Sequence, residues 1–177
     1  MLKKTLAAIA VASFALPLQA AKVKDVTLNQ VGRYTTGVFD DGAAEIVAYD
    51  AATALLFVIN ASANTVDILD IFDPTDPMKV GEIDVTVIEG EDGTIEAGDV
   101  GGVNSVAVKD GLVAVAVEND DKQSPGWAAF FDTNGNYLNH VMAGALPDAI
   151  TFTPNGSFAL TANEGELVAR VVGEPGP

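Results

Sequence analysis

The chain has 177 residues, 49% of them apolar, and 9 basic side chains stand against 25 acidic ones for a formal net charge of −16. So acidic a surface repels phosphate backbones and anionic headgroups, which makes nucleic-acid and peripheral membrane binding poor expectations and leaves divalent cations as the more natural partners, or a charge that only keeps the protein soluble. No cysteine is present, which excludes disulfides, thiolate catalysis and Cys-ligated zinc or iron–sulfur centres, so core packing alone must hold the fold.

At the N-terminus Lys3 and Lys4 precede an apolar stretch from Leu6 to Leu18 that closes on Leu18-Gln19-Ala20-Ala21. A basic start, a short apolar core and a small-residue finish are the three parts of a secretory signal peptide, so residues 1–20 are expected to be removed, with cleavage after Ala21 as the alternative. The apolar core is shorter than the roughly 20 residues a membrane span needs, and no second such stretch follows. The expected destination is the periplasm, the extracellular space or the cell surface. Processing removes two lysines and no acid, so the mature chain is more acidic still. Residues 21–43 read as a lead-in strand.

From residue 44 onward the sequence repeats. Glu45-Ile46-Val47-Ala48-Tyr49-Asp50 aligns with Asn104-Ser105-Val106-Ala107-Val108-Lys109 and with Asp148-Ala149-Ile150-Thr151-Phe152-Thr153, each a short apolar strand opened by a polar residue. A turn follows each, two of them built on Asp110-Gly111 and Asn155-Gly156, strong short-range hairpin signals. Second strands follow at Leu55–Ile59, Leu112–Val117 and Phe158–Ala162, each ending at an asparagine. The separation from Glu45 to Asn60, Asn104 to Asn119 and Asp148 to Asn163 is the same in all three units, which chance rarely produces.

The first two units continue with third strands, Thr65–Ile71 and Trp127–Thr133, carrying Asp70 and Asp132 near their ends, and with outer strands, Val80–Val87 and Tyr137–Met142. Four antiparallel strands in about 40–45 residues is the period of a propeller blade. Leu55-Leu56-Phe57-Val58-Ile59 and Leu112-Val113-Ala114-Val115-Ala116-Val117 are apolar without polar alternation, as inner strands covered on both faces must be. The expected fold is an all-β, incomplete β-propeller of four-stranded antiparallel blades, about two and a half of them: 44–103, 104–147 and the partial 148–166. A β-sandwich is the rival, but a sandwich does not require a constant hairpin spacing. The segment 167–177 reads as an atypical tail.

Candidate site residues are few. Glu89, Glu91, Asp92, Glu96 and Asp99 crowd an insertion between the first two units, close enough in sequence to wrap a Ca²⁺ ion with hard oxygen ligands, although their order is not that of an EF-hand and a solvated acidic loop serves as well. Asn60, Asn119 and Asn163, with Glu118 and Glu164 beside two of them, recur at equivalent strand ends, and such positions gather on one face of a propeller. Asparagine also suits strand-end turns for backbone reasons. His140, the single histidine, falls within a strand and reads as a packing residue. A serine elbow and phosphate-binding glycine loops are absent.

The runs around Val47, Leu56-Phe57-Val58-Ile59-Asn60, Gly102–Val108, Val115-Ala116-Val117-Glu118-Asn119, and Leu146–Pro154 with Ala162-Asn163-Glu164-Gly165-Glu166 together resemble the bacterial choice-of-anchor I family, a YVTN-like and lactonase-like propeller group, over about residues 28–166. The resemblance implies a secreted or surface-displayed propeller acting as an interaction module. Family labels that mention alkaline phosphatase imply the alternative, a metal-dependent phosphoesterase or lactonase, whose site would need blades beyond the third. An open arc of blades also leaves strand edges on which the chain is expected to associate with itself.

Overall fold

The computed structural model describes residues 26–165, apart from residues 87, 91 and 92. The signal peptide expected at 1–20 and the tail at 167–177 lie outside the described residues. The chain is all-β and folds as consecutive propeller blades that form an open arc.

The first blade is a meander of β1 (Val47–Asp50), β2 (Leu55–Asn60), β3 (Thr65–Asp70) and β4 (Met78–Asp84), each strand antiparallel to the next. A small hairpin follows, β5 (Ile88–Gly90) with β6 (Gly93–Ile95), and then a single 3-10 turn, Ala97–Asp99. The second blade repeats the meander with β7 (Val100–Lys109), β8 (Leu112–Asn119), β9 (Pro125–Asp132) and β10 (Tyr137–Ala145). The third sheet has two strands, β11 (Pro147–Phe152) and β12 (Ala159–Asn163). Glu45 and Ile46 already bond to the backbone of Ile59 in β2, but residues 26–44 join no strand, so the lead-in expected as a strand has no sheet partner among the described residues.

The side-chain pattern of β8 explains how blades stack. Its sequence Val113-Ala114-Val115-Ala116-Val117 alternates by size rather than by polarity, and all five residues are buried. The three valines join Phe57, Ile59, Val66, Ile68 and Ile83 in the core between blades one and two. The alanines face the other way, packing with Ala128 and Ile150 between blade two and the third sheet. Period-two alternation sends successive side chains to opposite faces, so a strand buried on both sides can fill a wide gap and a narrow gap at once. β9 does the same, with Ala129 and Phe131 toward blade one and Ala128 and Phe130 toward the third sheet.

Turn chemistry follows the residues. Asp110 and Gly111 both have positive φ, 51° and 84°, as a two-residue type I′ hairpin requires. In the third sheet only Gly156 is left-handed, φ 69°. Pro154 holds its own φ near −65°, so Asn155-Gly156 closes a longer loop in which the Thr153 N–H donates to the Phe158 carbonyl at 2.9 Å. Asp70 and Asp132, the repeated acids at the third-strand ends, accept backbone N–H bonds from Phe72 at 2.7 Å and from Asn134 and Asn136 at 2.9 Å.

Candidate functional site

The antiparallel order brings the ends of second strands and the beginnings of third strands to one rim of the arc. Asn60, Asn119 and Asn163 are each the last residue of the second strand in their sheet, so this rim collects all three. The amides of Asn60 and Asn119 are engaged locally. Asn60 Oδ1 accepts the Ser62 hydroxyl at 2.9 Å, and Asn119 Oδ1 accepts the Asp121 N–H at 2.9 Å while its Nδ2 donates to the Pro125 carbonyl at 3.5 Å. Both close the turn that leads into the next strand, which is what a short amide side chain does well. Asn163 lies against Gly144, where a Cβ would fall 2.8 Å from the Asn163 Cγ.

Glu118 is buried, and its charge is compensated. The Asn104 Nδ2 donates to Glu118 Oε2 at 2.9 Å and to the Pro147 carbonyl at 3.2 Å, while Lys122 Nζ stands 4.0 Å from Oε1. Asn104 thus ties the first strand of blade two to the second strand beside it and to the next sheet. Glu164 is exposed, and its N–H donates to the Leu146 carbonyl at 2.9 Å. Around these residues the exposed carboxylates of Asp99, Asp120 and Asp121 make the rim acidic.

The insertion between blades is more structured than a solvated acidic loop. Ile88 and Ile95, paired across the β5–β6 hairpin, are buried in the core between blades one and two. Glu96 precedes the following 3-10 turn and Asp99 ends it, both exposed, and the Asp99 carbonyl accepts the Asp120 N–H at 2.8 Å. Glu91, Asp92 and the side chain of Glu89 lie outside the described residues. Among the described residues no group of three His, Cys, Asp or Glu side chains is arranged to hold a metal ion.

His140 is buried on β10, its Nδ1 2.7 Å from the Tyr137 hydroxyl, and the Tyr137 ring stacks edge-on against Phe131 at a centroid distance of 5.9 Å. Two structural features escaped the sequence reading. Asn104 appeared only as the polar opener of a repeat, and nothing local marks it as a link between sheets. Asp67 is buried in the middle of β3 and bound by Lys79 Nζ at 2.8 Å, and Lys79 also reaches Glu82 at 2.6 Å. Asp67 first and Glu82 second hold the Lys79 ammonium above the ordinary lysine range. Hydrogen bonds from the Asn136 side chain and N–H hold the Asp132 carboxyl below the ordinary carboxylate value, and Thr75 does the same for Asp73. These carboxylates belong to turns at the opposite rim.

Known proteins agree with this architecture. A chain of the Kuenenia stuttgartiensis hydrazine synthase superposes with a TM-score of 0.52 at 17% identity, over 75% of this chain and 33% of that one. At such identity the likeness concerns the fold, and the chain spans a third of that larger chain's length. No curated protein matches the sequence. The choice-of-anchor I domain matches residues 45–176, from the first blade strand through the third sheet and beyond it. Membership implies an exported, cell-surface bacterial protein. With the repeats, the blades and this match in agreement, the chain belongs to the choice-of-anchor I family.

Proposed function

We propose that this protein is an exported, surface-displayed β-propeller module that binds a cell-surface protein or glycan through the rim where Asn60, Asn119 and Asn163 lie. The observation that carries this reading is the composition of the rim: exposed Asp99, Asp120, Asp121 and Glu164 surround amides and a buried Glu118 already committed to holding the strand ends. Such a surface presents acceptors to cationic groups or sugar hydroxyls, while its fixed residues keep it rigid. Ca²⁺ held by Glu89, Glu91, Asp92, Glu96 and Asp99 would add bridging to carbonyl or hydroxyl ligands. The Lys3–Ala21 segment supports export by cleavage near Ala20.

The test has two arms. Mass spectrometry of the protein recovered from outside the cytoplasm is expected to find a new N-terminus at Ala21 or Lys22. The full chain is then presented to cell-surface proteins and glycans with and without Ca²⁺. Asp120→Asn with Glu164→Gln is expected to weaken the binding seen, whereas Asp76→Asn at the opposite rim leaves it unchanged. Hydrolysis of a phosphoester or lactone that appears with Ca²⁺ or Mn²⁺ and vanishes with a chelator would instead establish the enzymatic alternative.

A further inference from the structure

The lead-in joins no strand, yet it is fixed to blade one at two points. Gly32 lies so close to the turn between β3 and β4 that a Cβ there would fall 2.0 Å from the Pro74 carbonyl oxygen. Farther along, the Gly42 carbonyl accepts the N–H of Ala61 at 2.8 Å and of Ser62 at 3.3 Å, and Ala43 is buried. The chain therefore crosses blade one from its outer turn to the rim that holds Asn60. Between the two anchors Gly37 at φ 79° and Asp40 at φ 62° bend the backbone, and the Thr36 hydroxyl accepts the Val38 N–H at 3.2 Å.

The bends border a pocket of about 550 Å³, lined by Arg33, Tyr34, Thr35, Thr36, Val38 and Phe39. Its size is that of a small-ligand site, and its chemistry is opposite to that of the molecule around it. Lys79, Lys109 and Lys122 each stand within 4.0 Å of a carboxylate, whereas the Arg33 guanidinium has no acidic partner among the described residues. The backbone N–H groups of Arg33, Tyr34, Thr35 and Thr36 and the Thr35 hydroxyl likewise donate to nothing among the described residues. Unused donors thus collect at one place in a chain of net charge −16. Two aromatic rings stand with them, Phe39 95% exposed and Tyr34 half-buried.

We propose that this pocket binds a sugar carrying one carboxylate, a hexuronic acid residue of a cell-surface glycan. The planar Arg33 guanidinium matches a carboxylate, which it holds through two parallel N–H bonds. Its single charge balances one carboxylate, where a phosphate monoester would bring nearly two negative charges. Repulsion from acids elsewhere in the chain fades over about 8 Å at physiological ionic strength. Thr35 and the free N–H groups donate to the sugar oxygens. Tyr34 and Phe39 offer flat apolar faces to the C–H side of a pyranose ring, a contact that a bare carboxylate would leave unused. The inference goes beyond the acidic-rim reading, because it uses none of Asp99, Asp120, Asp121 or Glu164, and either can fail without the other.

It is tested on the mature full chain by following backbone amide NMR signals as glucuronate or galacturonate is added, with glucose and acetate as controls. At least one uronate is expected to shift the amides of residues 33–39 saturably, and to bind at least about tenfold more tightly than glucose or acetate, the loss expected when a charge-assisted pair or a stacked ring is missing. Arg33→Ala, at an exposed position, is expected to remove the preference over glucose while the remaining signals stay in place. Arg33→Lys is expected to restore part of it, since the charge returns without the planar fork. Phe39→Ala is expected to weaken the uronate and to leave acetate unchanged. Asp120→Asn with Glu164→Gln, the variant that tests the rim, is expected to leave uronate binding as it was. The proposal is overturned by the absence of a saturable shift with either uronate, by shifts centred outside the segment, by glucose binding equally well, or by acetate binding as tightly as the uronates, which would mark a carboxylate site suited to a peptide terminus.

Discussion

Single residues in this protein act mainly on turns. Asp70, Asp84, Asp121 and Asp132 each accept a backbone N–H two residues on, so these four acids are spent on strand-end geometry. For Asp132 this has a pH signature. Its carboxyl is held below the ordinary value by Asn136, so the ionised form is favoured by folding. The stabilisation is present above the unfolded value of about 3.9 and is lost as pH falls through the lower folded value. Urea denaturation of Asp132→Asn against the parent is expected to show a small stability gap at neutral pH that closes in acid. A gap independent of pH would assign the effect to shape instead. The repetition of Asp70 and Asp132 near third-strand ends was legible beforehand, and the bonds they accept from the turns were not. The pairing of buried Asp67 with exposed Lys79 was not legible either, because the residues are separated in sequence and meet only after β3 pairs with β4.

Among the elements, the inserted hairpin changes most between sequence and structure. Its acids dominate the sequence, yet Ile88 and Ile95 decide its place, since each is buried within the core that joins the first two blades. Ile95→Ala is expected to cost about 2–5 kcal/mol, the range for emptying a buried aliphatic site. Glu96→Ala, in solvent, is expected to stay within about 0.5 kcal/mol of the parent. Chemical denaturation of the two variants checks this, and equal effects would mean that the hairpin is held by its charges. Strand existence and order could be read from the repeat for β1 to β4 and β7 to β12, because hairpin turns and apolar runs are local signals. The lead-in could not be read correctly, because alternation in Val26–Asn29 marks a strand but does not supply its partner.

Across the whole molecule, stability depends on how sheets meet. Blade two and the third sheet share a thin, alanine-rich contact, supplemented by polar links: Asn104 to the Pro147 carbonyl, and the Ile150 N–H to Ser105 Oγ at 3.2 Å. Gly126 sits beneath Pro147, where a Cβ would come 2.8 Å from its Cδ. Asn104→Ala removes the donor for the Pro147 carbonyl and for buried Glu118 together. A loss of about 1–3 kcal/mol is expected, and hydrogen exchange should quicken first in β11 and β12, the sheet that Asn104 ties to blade two. Uniform acceleration over all sheets would show that the third sheet does not open on its own.

The amino-acid sequence by itself determined the blade repeat, the all-β class, the turn positions and the family, since each of these is written in residue spacing and local chemistry. Tertiary structure alone decided which face of β8 takes the valines and which the alanines, that Asn104 bridges two sheets, and that the acidic insertion is anchored by Ile88 and Ile95. The division has a physical reason. Turns and strand periods are set by neighbours along the chain, whereas partners across a sheet or between sheets are chosen by volume, charge and edge exposure, which exist only once the blades are stacked.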